Sequence, residues 1–274
     1  MKPDFAQYGF PYPDNLIQAF IGGSQLHGAK VGGTDDTDWY GVFIEPPAKM
    51  IGLDRDEHFV FTTGGKSGGN GPQDVDVCLY TLRKWAGMAA KGNPSALHFV
   101  FAKEEFSTPW WDKIVKQRHL FAAKRHVLPF LRFADDQMER LCGRKGQKNI
   151  HRVALEQEHG YDTKYAMHVI RLYLEAKEYM ETGTITLPNP RVDLLIAIRQ
   201  GKYRLSEIEE MGKQMEAEAM AAQEKSTLPE AVHLDAVSSL ITEVYLAFWN
   251  ARIRSVTDLA GSLTLRQACK GQTG

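Results

Sequence analysis

A chain of 274 residues with 43% hydrophobic and 24% charged side chains carries enough apolar material for a sizeable core and too much of it for intrinsic disorder. A formal net charge of −1 excludes a protein that coats nucleic acid over its whole surface, and no apolar run approaches the ~20 residues a membrane helix needs. Cys78, Cys142 and Cys269 are odd in number and lack CxxC spacing, which argues against a disulfide framework or a zinc site and predicts a reducing, cytoplasmic setting.

The N-terminal residues Met1-Lys2-Pro3-Asp4 lack the charged-then-apolar layout of a signal peptide. Leu16 to Ile21 is an apolar run that stops at Gly22-Gly23-Ser24 and predicts a strand. The following Gly22-Gly23-Ser24-Gln25-Leu26-His27-Gly28 predicts a turn that opens a short helix. Thr37 to Ile44 alternates and is rich in aromatic and β-branched residues, and Val75 to Tyr80 is a third strand candidate. Between them, Thr62 to Gln73 holds five glycines and reads as a mobile loop. Its Gly65-Lys66-Ser67 resembles the end of a phosphate-binding loop, but Val60 stands where the first glycine belongs, so the motif fails.

From Leu82 the pattern turns helical. Leu82 to Ala90 is the first helix, followed by the Gly92-Asn93-Pro94 turn and helical stretches near 112–143, 161–182, 191–200, 205–224 and 230–255. The expected fold class is α+β, with a catalytic domain over 1–108, a helical substrate-binding domain over 109–257 and a polar tail over 258–274. Between Lys113 and Arg152 eleven Lys or Arg face three acids, a run that could attract a polyanion such as RNA or form a solvated helical face. Trp110-Trp111 reads as a core or interface anchor rather than a stacking platform.

The chemistry gathers in the first half. Residues two apart on a strand share a face, so Asp36 and Asp38 point the same way at the start of the second strand. Asp76, flanked by valines, adds a third carboxylate from a neighbouring strand; Asp35 and Asp74 are further candidates for the same shell. Converging carboxylates repel unless a cation lies between them, and Mg²⁺ (or Mn²⁺) is the hard, oxygen-preferring occupant that leaves sites for phosphate oxygens. Gly23 and Ser24 offer backbone N–H groups and a hydroxyl to phosphate. On a helix at 100° per residue, Lys164, His168, Arg171, Glu175 and Glu178 form one polar stripe on an otherwise apolar cylinder. Lys164, His168 and Arg171 are therefore candidate nucleotide ligands, Asp162 is the N-cap, and the two glutamates read as surface. His27 and His159 are assigned no role.

The string Gly23-Ser24, Gly28, Asp36-x-Asp38, Gly41-Val42 resembles the signature of the polymerase-β nucleotidyltransferase superfamily, and more narrowly its RNA-ligase-associated bacterial and phage family. Asp76 to Trp85, Lys91-Gly92-Asn93-Pro94, Tyr161 to His168 and Leu195 to Lys202 extend the resemblance over roughly residues 20–215. It implies a nucleotidyltransferase fold joined to a helical region, with a nucleoside triphosphate as substrate and Asp36, Asp38 and Asp76 as catalytic metal ligands. It favours an RNA acceptor over a small molecule or protein, and an enzyme over a non-catalytic nucleotide-binding or antitoxin-like module.

Overall fold

The computed structural model describes residues 2–29, 37–63, 74–144 and 158–270, with side chains as far as Arg252. Five strands form one sheet: β1 (Leu16–Ile21), β2 (Thr37–Phe43), β3 (His58–Thr62), β4 (Val75–Thr81) and β5 (Phe106–Ser107), in the order β3-β4-β2-β1-β5. Only β2 and β4 run parallel; the other pairings are antiparallel.

Alternation along β2 and β4 gives the sheet two unlike faces. Trp39, Phe43, Val77 and Leu79 join Phe5 and Phe10 of the N-terminal segment in an aromatic-rich layer. The opposite face carries Asp38, Tyr40 and Val42 on β2 and Asp76, Cys78 and Tyr80 on β4. Phe20 of β1 stacks on Tyr40 at 5.7 Å there.

That second face is covered by helices. Leu82–Ala90 (α3, after the short helices α1, Gly23–Leu26, and α2, Pro47–Ile51) starts where the Thr81 hydroxyl accepts from Lys84 N at 3.2 Å. Its apolar side buries Leu82, Trp85, Ala86 and Ala89 at helical spacing. Asn93 caps Pro94–His98 (α4) by accepting from Ala96 N at 3.0 Å. The expected helix over 112–143 is instead Pro109–Lys116 (α5), two 3-10 turns, and Val127–Leu141 (α6). Pro129 is tolerated because it lies in the first turn of α6, where no intrahelical N–H bond is lost.

Thr163–Thr182 (α7) is the central helix. Asp162 accepts from Lys164 N and Tyr165 N at 2.9 and 3.1 Å, and Gly183 ends the helix at a left-handed φ of 71°. Packed by α6, Val192–Arg199 (α8) and Leu205–Lys225 (α9), it is apolar on most sides. Leu234–Lys270 (α10) closes the molecule and continues through the expected tail boundary at 258. Tyr245 on it donates to the buried Glu45 at 2.8 Å, just past β2. One core runs from Ile17 and Phe20 on the sheet through Trp85 and Trp111 to Phe248, across the expected boundary at 108. No helix among the described residues is long and apolar enough to cross a membrane.

Candidate active site

The parallel β2–β4 ladder sets Asp38 directly beside Asp76. Neighbouring strands lie ~4.8 Å apart, so two carboxylates emerge side by side on one face. Both line a shallow depression bounded by Tyr40, Thr62 and Cys78. Asp36 lies outside the described residues, as do Asp35 and the glycine-rich loop from 64 to 73. Asp74 accepts a hydrogen bond from the Thr63 hydroxyl at 3.1 Å. Cys78 is no thiolate nucleophile here, because burial pushes its thiol up.

The glycine turn is fitted to these acids. Gly22 N donates to Asp38 O at 2.8 Å, and Gly23 takes a left-handed φ of 59°. A Cβ on Gly23 would stand 1.9 Å from Asp38 Oδ2, and one on Gly22 would meet the Tyr40 ring at 2.4 Å. Only glycines allow this turn to lie against the carboxylate strand. Ser24 follows in the first turn of α1.

Next to the turn opens a cleft of about 310 Å³ between the sheet and α7. Gly22 and Gly23 form part of its wall, with Phe20, Tyr40 and Phe99 on the sheet side and Tyr165, His168 and Arg171 on α7. Two of the three stripe residues singled out from the sequence thus face the same cleft as Gly23. Lys164 is half-buried one turn nearer the helix start and does not line it.

Sequence reasoning missed the floor of this cleft. Glu175, read as surface, is fully buried. Arg171 Nη1 donates to both of its oxygens at 2.8 and 2.9 Å, and His98 Nε2 lies 2.9 Å away. His27 Nδ1 sits at 3.4 Å. Burial alone would push the Glu175 carboxyl up. The Arg171 charge and the His98 contacts overcome this and hold it well below the usual carboxylate range. An ionised carboxylate only accepts, so His98 Nε2 carries the proton. Burial, reinforced by the Arg171 charge, holds His27 well below its ordinary value and keeps it neutral. The ligating atoms of His27, His98 and Glu175 lie within 4.8 Å of one another, spacing that could suit a metal ion. The guanidinium on both carboxylate oxygens already occupies the place of a cation, which makes the cluster an Arg171–Glu175 ion pair flanked by two imidazoles. The sequence signals for it were the four-residue spacing of Arg171 and Glu175 on the stripe and the position of His27 inside the glycine turn motif.

Half of the described cations of the basic stretch are ion-paired. Of its eight described Lys and Arg, Lys113, Arg125, Arg140 and Arg144 pair with Glu243, Glu230, Asp136 and Glu139 respectively. Arg118 packs over the Phe101 ring at 5.2 Å.

A sheet with a glycine turn seated against paired aspartates, backed by a helical half, defines a nucleotidyltransferase of the polymerase β type. The chain belongs to the RlaP family, the RNA repair pathway DNA polymerase beta family, whose profile matches residues 5–240. Among solved structures, a nucleotidyltransferase-like protein from Exiguobacterium sibiricum 255-15 is similar over 92% of this chain and 78% of that one, with 12% identity and a TM-score of 0.30. No curated protein sequence matches the chain.

Proposed function

We propose that this enzyme transfers a nucleoside monophosphate from a nucleoside triphosphate to an acceptor hydroxyl and releases pyrophosphate. The observation that carries the reading is the Asp38–Asp76 pair, side by side on β2 and β4 beneath a glycine turn too close for any Cβ. The acceptor oxygen bonds to the α-phosphorus while the bond from that phosphorus to the β-bridging oxygen breaks. Pyrophosphate leaves with the electron pair, and Asp76 helps take the acceptor proton. Asp36, Asp38 and Asp76 would hold Mg²⁺ or Mn²⁺, an ion that suits the juxtaposed carboxylates of Asp38 and Asp76 at this face. A bound divalent ion supplies charge that offsets the phosphates and makes the acceptor hydroxyl easier to deprotonate. Gly23 and Ser24 hold the phosphates from the turn, and Lys164, His168 and Arg171 bind the nucleotide from α7.

The family description names an RNA repair pathway, which favours RNA as the acceptor. The ion pairing within 113–144 favours a second reading, a small-molecule or protein acceptor, since it leaves less free positive charge for a polyanion. The test is incubation of the full chain with each triphosphate radiolabelled at the α-phosphate, divalent metal and total RNA, beside Asp38→Ala. Label in RNA that disappears in the variant is expected. Label only in protein or small molecules replaces the acceptor, and no label in any fraction contradicts the transferase reading.

A further inference from the structure

The charges at the cleft floor balance. Arg171 is matched by Glu175 at 2.8 Å, and the burial that keeps His27 neutral adds no further charge beside them. A floor of this kind suits a neutral hydrogen-bonding group better than a triphosphate, whose charge would need an excess of cations. The aromatic side chains Phe20, Tyr40, Phe99 and Tyr165 line the same cleft, and rings of this sort stack on a flat heterocycle.

Arg171 also has donors left over. Nη1 is committed to Glu175, whereas Nε is buried with no acceptor, and Nη2 has none among the described residues. Nε–H and one Nη2–H lie parallel along one edge of a guanidinium, so together they match two adjacent acceptors. His27 Nδ1, at the same floor, is likewise buried without a hydrogen bond of proper geometry. An unsatisfied buried guanidinium donor beside an unsatisfied imidazole nitrogen at the bottom of an open cleft marks a place that a ligand completes.

We propose that the cleft seats the nucleobase of the triphosphate, and that Arg171, fixed by Glu175, selects a base with two adjacent hydrogen-bond acceptors. Guanine meets this demand with O6 and N7, and cytosine with N3 and O2. Adenine and uracil do not, because each places a donor beside the acceptor at the corresponding edges. The inference rests on the nucleotidyltransferase reading: the turn at Gly22 and Gly23 contacts Asp38 and borders the cleft, which places the phosphates at one end and the base inside. Glu175 is a positioning residue here, acting through Arg171.

The test is calorimetric titration of the full chain with GTP, CTP, ATP and UTP in Mg²⁺, repeated on Arg171→Lys, which keeps the charge but loses the paired donors. GTP or CTP is expected to bind about tenfold or more tighter than ATP and UTP, as one bidentate contact provides. In the variant that preference is expected to collapse while binding persists. If GTP is preferred, its 7-deaza analogue, which lacks the N7 acceptor, is expected to lose most of the preference; if CTP is preferred, the pocket is a pyrimidine site. Equal binding of the four, preference for ATP or UTP, or an unchanged preference in a folded variant overturns the base assignment and leaves the transferase reading standing. The comparison of the four on the wild-type chain decides the matter even if the variant does not fold. Binding of none of them overturns both.

Discussion

Gly23 shows how strictly one residue can be determined by its neighbour. Its left-handed φ is strained for any residue with a Cβ, and that Cβ would overlap the Asp38 carboxylate. Gly23→Ala must therefore push the turn or Asp38 aside, and a shift near 1 Å at reacting groups costs about a hundredfold in rate. The expected result is at least that loss in kcat/KM with secondary structure retained by circular dichroism; activity within threefold of wild type would contradict the fit. His27 yields a second prediction at this scale. Its folded-state value is depressed, so its contribution to stability is complete above the ordinary 6.5 and is lost as pH falls through the lower folded value. His126, depressed by burial, acts in the same direction, and Glu175 adds its loss below its ordinary 4.5. Thermal melts should fall between pH 7.5 and 5, and less steeply in His27→Gln. An identical slope in the two proteins would remove His27 from the account.

At the scale of elements, what could be read from the sequence follows physical lines. Leu16–Ile21 and Leu82–Ala90 match their expected limits because each is bounded by strong local signals, Gly22-Gly23 in one case and Thr81 with the Lys91-Gly92 turn in the other. The edge strand His58–Thr62 went unread: it is five residues long, and its exposed positions include Val60, so its pattern lacks a clean polar face. The stripe on α7 was legible as a stripe, and His168 and Arg171 do face the cleft. The fate of Glu175 was not, since a helical wheel cannot tell a charge facing solvent from one paired with Arg171 and buried beneath His98 and His27 arriving from α4 and the α1 turn. Asp162, by contrast, is a local device. Asp162→Ala removes two accepted N–H bonds at the start of α7 and should cost about 1 kcal/mol in denaturant unfolding. A change below ~0.3 kcal/mol would mean that tertiary packing alone fixes the start of the helix.

For the whole molecule, the decisive join is between the sheet and the last helix. Glu45 is buried at the end of β2, accepts from Tyr245 Oη at 2.8 Å, and leaves Oε1 without a partner. Trp249 Nε1 donates to the Glu45 carbonyl at 3.2 Å, so α10 is fastened to the sheet by both backbone and side chain. Burial pushes the Glu45 carboxyl up. The folded state thus favours its protonated form, and stability present below the ordinary 4.5 is lost as pH rises through the higher folded value. Glu45→Gln keeps the shape without the charge and should raise Tm at pH 7.5, with a smaller gain at pH 5. A lower Tm at both values would show that the ionised carboxylate is itself stabilising. With the sheet and helices joined in one core, the glycine turn at Gly22 and Gly23 stands between the depression at Asp38 and Asp76 and the cleft lined by His168 and Arg171 of α7. The most direct test of nucleotidyl transfer at that cleft is a pair of reactions with the same triphosphate, labelled at the α- or at the γ-phosphate. The acceptor should be labelled from the α-position alone, with the γ-label recovered in pyrophosphate and both products absent in Asp76→Asn. Transfer of the γ-label to the acceptor, or undiminished transfer in Asp76→Asn, would contradict the assignment.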